Sequence, residues 1–262
     1  MAGRQQSIAR QDVAGLGGAS RGTPTPPNQG PEPGRIGRFI ALEGGDGAGR
    51  SSQVRLLMPW LETQGWAPVH VGLGRGALAQ RALRRARRTP GTGVHSLALL
   101  YAADMADQGA RQVAPALDAG FVVIADRWTA TASARCLVRG APAAWLASLL
   151  AAAPEPDLTL WLRATPRQRL AREVAKQGLP DFTESGRDMG LDPDPLKSFL
   201  RYQGLLDGHY AVIGRATGAR WHEVDAGGPP GAIQSGLRRA IGDCLAAAGL
   251  GAAPATEVTG DA

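Results

Sequence analysis

The chain has 262 residues, of which 44% are hydrophobic and 20% charged, the composition of an ordinary globular protein with a sizeable core. Its formal net charge is +6, but only two of its 29 cationic side chains are lysines, so a chain-wide bias towards arginine accompanies this charge. The charge suits a polyanionic ligand, and a nucleotide satisfies it as well as a nucleic acid does.

Location and partners are constrained by several simple patterns. No apolar run approaches the roughly 20 residues that cross a bilayer, and the polar N-terminus has no continuous apolar signal region. Cys136 and Cys244 lie outside any metal or disulfide spacing and are predicted to be reduced thiols. We therefore expect a cytoplasmic protein with no membrane partner.

The elements in chain order alternate between strands and helices, which predicts an α/β fold with a parallel sheet covered by helices on both faces. Residues 1–35 are rich in Gly, Pro, Ser, Gln and Arg and are predicted to be a disordered extension of one domain at 36–250, with a flexible tail at 251–262. The patterns predict strands at 39–43, 67–72, 121–126, 157–164 and 219–226, and helices at 51–64, 77–88, 95–119, 142–152, 166–177 and 196–214, with a last helix ending near 248.

The first predicted strand leads into EGGDGAGRSS, which has the spacing of a phosphate-binding loop, G-x-x-x-x-G-K-[ST]. Glycines let such a loop bring backbone N–H groups close to an anion at the start of a helix. Arg50 stands in the lysine position, where it keeps the positive charge but is larger and forked. The loop therefore predicts phosphate binding and leaves the efficiency of catalysis open. The predicted ATP-binding residues are Gly44, Gly45, Asp46, Gly47, Ala48, Gly49, Arg50, Ser51 and Ser52.

A second candidate cluster is Asp126-Arg127, at the end of the apolar strand FVVIAD. In open α/β sheets, ligands bind beyond the carboxyl ends of the strands, which is where this pair would lie. A carboxylate there can hold Mg²⁺, and a guanidinium can bind a phosphate through two hydrogen bonds. Ser51 and Asp126 are therefore our predicted metal ligands.

Four stretches, FIALEGGDGAGRSSQ, LLYAADMADQ, VVIADRWTATASA and PDLTLWLRATPRQRL, have the order and separations of the corresponding stretches in the thymidylate kinases. From residue 38 to about 250 the chain resembles this family of P-loop nucleoside monophosphate kinases. The resemblance implies a five-stranded parallel sheet, a short lid near 176–194, ATP and Mg²⁺ as cofactors, and dTMP as the phosphate acceptor. It also implies a homodimer in many members of the family, and it implies no nucleic-acid partner.

The resemblance further assigns roles to individual positions. Asp46 matches an acidic residue near the acceptor sugar and the metal, and Arg127 matches an arginine on the acceptor phosphate. The catalytic residues it implies are Arg50, Asp126, Arg127 and the lid cations Arg172, Lys176 and Arg187, and the acceptor-binding residues are Asp46, Arg75, Asp104, Arg127, Trp128, Thr131 and Arg135.

Several acceptor positions differ from the family pattern. The segment after the second strand reads GLGRG, so an acceptor arginine is absent or shifted to Arg75, while Met105 replaces an arginine and Arg135 a tyrosine-like residue. Three functions remain open: a dTMP kinase, a kinase of the same fold with another acceptor, and a nucleotide-binding protein that has lost catalysis. The arginines of 81–88 are predicted to form a solvated helix face, because no aromatic residues are interleaved for base stacking.

Overall fold

The computed structural model describes residues 36–88 and 90–249. The predicted extension at 1–35 and the predicted tail at 251–262 lie outside the described residues. Five strands form one all-parallel sheet in the order β2-β3-β1-β4-β5, with helices around it, which confirms the predicted fold class. The strands are β1 Arg38–Glu43, β2 Pro68–Gly72, β3 Val122–Asp126, β4 Leu158–Arg163 and β5 Trp221–Asp225.

The helices follow the predicted order, with two differences. The helix predicted at 95–119 is interrupted by a π-helical turn at Gly109–Val113, and the helix at Thr129–Leu137 is absent from the prediction. The helices are α1 Arg50–Thr63, α2 Gln80–Arg88, α3 Val94–Gln108, α4 Ala114–Asp118, α5 Thr129–Leu137, α6 Ala143–Leu150, α7 Pro166–Gln177, α8 Pro195–Thr217 and α9 Pro230–Ala247.

The first residue of the π-helical turn lies in close contact with the loop before β4. A Cβ added at Gly109 would lie only 2.7 Å from Cδ of Pro154, so the helix passes the loop before β4 at a distance that only glycine allows. Pro115 then stands in the first turn of α4, where its missing N–H breaks no bond within that helix.

Side chains of the central strand alternate between two apolar layers. Phe39 and Ala41 of β1 pack with α3 on one face, whereas Ile40 and Leu42 pack with α1 and α9 on the other. Because both faces are covered, β1 is apolar almost throughout instead of alternating with polar residues. None of the helices within residues 36–88 and 90–249 combines the length and apolarity that crossing a membrane requires.

The strand register brings the ends of three strands to one edge of the sheet. Asp126 of β3 pairs with Leu42 of β1 on one side and with Gly72 of β2 on the other. The loops that leave these strands therefore start side by side, at the edge where open parallel sheets bind their ligands.

Candidate active site

Residues 44–49 form a glycine-rich loop between β1 and α1. Gly47 (φ 79°) and Gly49 (φ 90°) take left-handed conformations that glycine adopts without strain. Gly44 passes so close to β4 that a Cβ there would lie 2.7 Å from the carbonyl oxygen of Leu162. The loop ends at the N-terminus of α1, whose first N–H groups have no acceptor within the helix and are available to an anion.

Arg50, in the lysine position of this loop, is turned inward and is only 6% exposed. Its Nη1 donates hydrogen bonds to the carbonyl oxygens of Gly44 and Gly45, and its Nε donates to Oδ1 of Asp126 at 3.2 Å. Burial lowers the pKa of Arg50 and the guanidinium of Arg127 adds to this, while the carboxylate of Asp126 opposes both. The guanidinium thus links the backbone of the phosphate loop to the end of β3.

Asp126 lies across from the first turn of α1. Ser51 Oγ donates to Asp126 Oδ2 at 2.6 Å, and Nη2 of Arg75 lies 3.9 Å from the same oxygen. Burial acts to raise the pKa of Asp126, but the guanidinium groups of Arg50 and Arg127 outweigh burial and hold this pKa below its usual value. The carboxyl is therefore ionised at neutral pH and in direct contact with the other predicted metal ligand.

Asp46, within the loop, is the centre of a second ionic cluster. Arg127 Nη2 donates to Oδ1 of Asp46, and Arg135 Nη2 donates to the same oxygen at 3.0 Å. Gln203 of α8 completes the arrangement by accepting from the Asp46 N–H and donating to its carboxylate, each at 3.2 Å. Burial acts to raise the pKa of Asp46, but Arg127 and Arg135 hold it well below its usual range.

Arg127 reaches this cluster through a backbone conformation that few non-glycine residues adopt. Its φ is 70°, and the conformation is stabilised by hydrogen bonds from its N–H to Leu42 O and from the N–H of Leu73 to its own carbonyl, both at 3.0 Å. The side chain then points to the phosphate loop, where Nη1 lies 3.3 Å from the carbonyl oxygen of Gly44. Backbone strain of this kind is concentrated at functional sites.

Glu43 joins the phosphate loop to α5. Its Oε1 accepts from the N–H groups of Trp128 (2.9 Å) and Ala130 (3.2 Å), so it satisfies donors at the start of that helix. Thr131 Oγ1 contacts Glu43 Oε2 and lies 2.8 Å from the hydroxyl of Tyr210, which in turn donates to Gly44 O at 3.2 Å. Burial raises the pKa of Glu43 despite the hydrogen bond from Thr131.

Arg169 of α7 packs behind the phosphate loop and is only 1% exposed. Its Nη2 donates to Asp207 at 2.5 Å and lies 3.4 Å from the carbonyl oxygen of Gln203. A Cβ at Gly45 would lie 1.8 Å from Arg169 Nη1, and one at Gly47 would lie 2.3 Å from the carbonyl oxygen of Arg169. Gly45 and Gly47 are therefore required by α7 as well as by any ligand.

The predicted acceptor residue Asp104 shapes the GLGRG loop. Its carboxylate accepts from the N–H groups of Gly74 at 2.6 Å and Gly76 at 3.0 Å, and from Gln108 Nε2 at 2.9 Å. Gln108 also exchanges two hydrogen bonds with the backbone of Gly72. Asp104 therefore acts here on the loop that borders the site.

Within the described residues, none of the other predicted side chains except that of Arg75 pairs with Asp46 or Asp126. Trp128 is fully buried, with its indole N–H donating to Pro154 O at 2.8 Å. Arg172 lies 3.5 Å from the carbonyl oxygen of Gly227, beyond β5, and the Arg187 guanidinium lies 5.4 Å from the centre of the Phe182 ring. The remaining positions are exposed Lys176 and Ser52, buried Ala48, and Arg75, whose side chain is 47% exposed.

Four residues in contact with the site were not predicted from the sequence. Arg169, Gln203 and Tyr210 come from helices far along the chain, and their sequence context carries no motif. Glu43 could have been predicted, because it is a carboxylate at the end of an apolar strand, and ligands of open α/β sheets bind at the carboxyl ends of the strands.

The fold and site define a P-loop nucleotide-binding protein: a strand, a glycine loop and a helix, with a hydroxyl and a carboxylate meeting beside the loop. Comparison with known families narrows this class. A family model described as thymidylate kinase matches residues 42–189. The chain therefore belongs to the thymidylate kinase family, which confirms the family inferred from the four sequence stretches.

Individual relatives agree with this assignment. A probable thymidylate kinase 2 of Saccharolobus solfataricus is 31% identical over 80% of this chain and 97% of its own length. A thymidylate kinase of Gloeobacter violaceus is 33% identical over 78% of this chain and 93% of its own. A probable thymidylate kinase of Pyrococcus abyssi is 33% identical over 56% of this chain and 74% of its own.

Proposed function

We propose that this protein transfers the γ-phosphoryl group of ATP to dTMP and so forms dTDP and ADP. The observation that carries the proposal is the two clusters at the phosphate loop, Asp126 with Arg50 and Ser51, and Asp46 with Arg127. A donor and an acceptor phosphate bound beside these clusters would meet at the loop. The names of the relatives support dTMP as the acceptor.

The donor set suits Mg²⁺, because the Ser51 hydroxyl and the Asp126 carboxylate are the hard oxygen ligands that this ion prefers. Mg²⁺ held by these two ligands would supply positive charge that neutralises the charge developing on the phosphates during transfer. Apart from neighbouring backbone, no atom lies within 4 Å of a Cβ built on Gly49, so the backbone is open to a phosphate at this position. We therefore propose that residues 44–52 hold the triphosphate of ATP.

The side chains of this chain contribute positioning and charge. Arg127 would bind the acceptor phosphate, and Asp46 would hold that guanidinium in place through the contact already formed. An acceptor oxygen then forms a bond to the γ-phosphorus while the bond from that phosphorus to the β–γ bridging oxygen breaks. Such transfers are catalysed mainly by alignment and electrostatic stabilisation.

The remaining parts of the proposal concern the lid and the assembly. Arg172, Lys176 and Arg187 are proposed to supply cations to the transferred phosphoryl group when the segment at 176–194 closes over ATP. A homodimer and a cytoplasmic location complete the proposal, and sedimentation of the purified protein tests the first of these.

A coupled assay of ADP release tests the function directly. We expect turnover with dTMP to exceed turnover with dUMP, UMP, CMP, GMP or AMP at equal concentration, and to require Mg²⁺. A higher turnover with another monophosphate would show that this monophosphate, and not dTMP, is the preferred acceptor. If the protein binds ATP but releases no ADP with any of the six monophosphates, the proposal that it is a kinase is overturned.

A further inference from the structure

Arg87 differs from the other arginines of α2. The helix carries five of them, and Arg81, Arg84, Arg85 and Arg88 are exposed, whereas Arg87 is partly buried. The predicted solvated face therefore describes four of the five side chains. Arg87 points instead towards the site, on the face of α2 that also buries Leu83.

The guanidinium of Arg87 lies against the GLGRG loop. A Cβ added at Gly74 would be 3.2 Å from its Nη2, so the glycine leaves room for this group. Nε is 3.4 Å from the carbonyl oxygen of Leu83, a long hydrogen bond within the helix. Asp104 accepts a hydrogen bond from the N–H of Gly74, so Arg87 lies against a loop that is fixed at the border of the site.

Among the described residues, Arg87 has no close carboxylate partner, although the carboxylates of Glu184 and Asp104 act on it from a greater distance. Within the described part of the chain, no carboxylate oxygen forms an ion pair with it, although Arg50, Arg127 and Arg135 each have one. Burial lowers the pKa of Arg87, and the nearby guanidinium of Arg135 lowers it further, while Tyr101 and Glu184 oppose these effects. A partly desolvated cation next to other cations is costly unless an anion joins them.

We propose that Arg87 binds the phosphate group of the nucleoside monophosphate acceptor, together with Arg127. The inference rests on the proposed function, because it assigns a contact within the same acceptor site. A phosphate dianion supplies the missing negative charge and accepts the donors that a guanidinium presents. Arg127 and Arg135 already pair with Asp46, whereas the guanidinium of Arg87 has no ion pair within the described residues and can add its donors to those of Arg127.

The side chain of Arg87 is separable from the structural role of its backbone. Thr183 Oγ1 donates to the carbonyl oxygen of Arg87 at 2.8 Å, and this bond links α2 to the lid segment. A substitution of the side chain keeps that carbonyl in place. Its effect therefore reports on the guanidinium.

The test compares Arg87→Gln with Arg87→Lys and with Arg85→Gln, a matched loss of charge from the exposed face of the same helix. We expect Arg87→Gln to raise the KM for dTMP by on the order of 10- to 100-fold, the value of one charged hydrogen bond. The KM for ATP and the thermal midpoint should stay near the wild-type values. Arg87→Lys should recover part of the loss, and Arg85→Gln should match wild type.

The outcomes separate this inference from the proposed function. If wild type phosphorylates dTMP and Arg87→Gln behaves like Arg85→Gln, the assignment of Arg87 fails while the kinase function stands. If wild type does not phosphorylate dTMP, the role of Arg87 is tested instead by measuring the binding of the six monophosphates by calorimetry. Weaker binding to Arg87→Gln than to Arg85→Gln supports Arg87, whereas equal binding, or no binding to wild type, overturns it.

Discussion

Replacing Arg50 by lysine restores the residue that the loop motif specifies and changes contacts that the structure defines. Arg50 donates to Gly44 O, Gly45 O and Asp126, so its guanidinium is bonded to the protein at both ends. A lysine has one nitrogen in place of three and cannot reproduce this fork. The ammonium is more compact and free to turn towards a bound phosphate.

Two effects of opposite sign follow from this change. At least one buried charged hydrogen bond is lost, which should lower the free energy of unfolding by about 1.5–3 kcal/mol. For a domain of this size, each kcal/mol lowers the thermal midpoint by about 2–4 °C. Turnover should rise, because a guanidinium held by the loop carbonyls leaves the phosphates poorly aligned, and small misalignments cost on the order of 100-fold. The KM for ATP should change little, since backbone N–H groups supply much of the anion site.

The assay is steady-state ADP release with dTMP, paired with thermal unfolding in the absence of nucleotide. Arg50→Ala is the companion variant, and it should lose both turnover and ATP affinity. A lower turnover in Arg50→Lys than in wild type would refute the reasoning and show that the loop is built around guanidinium. If neither protein turns over any monophosphate but both bind ATP, the site is non-catalytic.

Three further predictions use other parts of the structure. Asp126→Asn should reduce turnover by at least on the order of 100-fold and lower the thermal midpoint at pH 7. Because the native pKa of Asp126 lies below its usual value, the ionised carboxylate stabilises the fold above about pH 4, and this stabilisation is lost as the pH falls. The thermal midpoints of wild type and variant should therefore converge in acid. Gly45→Ala should lower the free energy of unfolding measured in urea by on the order of 1–3 kcal/mol. The control Gly204→Ala, on α8 with open space around the new Cβ, should be neutral or stabilising. Equal effects of the two substitutions would show that the loop adjusts to the added methyl group. Burial raises the pKa of both thiols, that of Cys136 to about 11, but only Cys244 is partly exposed. A thiol reagent at pH 8 should therefore modify Cys244 first, and faster labelling of Cys136 would contradict its burial.

Most strands and helices were predictable because their residues repeat with the period of one element type. Helix α5 was not, since TATASARCL has small residues on every side and no clear apolar stripe. Its start is set by Glu43, which lies 85 residues before Trp128 in the chain. A helix fixed by a distant carboxylate leaves little local pattern.

The candidate site was predictable where motifs are local and unpredictable where helices meet. The loop and Asp126-Arg127 are contiguous segments, and the strand register brings them together as expected. The inward turn of Arg50 depends on carbonyl oxygens whose directions no sequence spacing reveals. The same holds for Arg169, which reaches the loop only because α7 packs against α8.

The π-helical turn at Gly109–Val113 has a consequence for comparing sequences of this family. A single π turn holds one residue more than the α-helical turn that would span the same stretch. A relative that lacks one residue here can run an unbroken α-helix into the same β3 without rotating Leu117 out of the core. For such a relative, the one-residue gap belongs inside this helix, and a gap moved to a neighbouring loop would misalign every position between the loop and the turn.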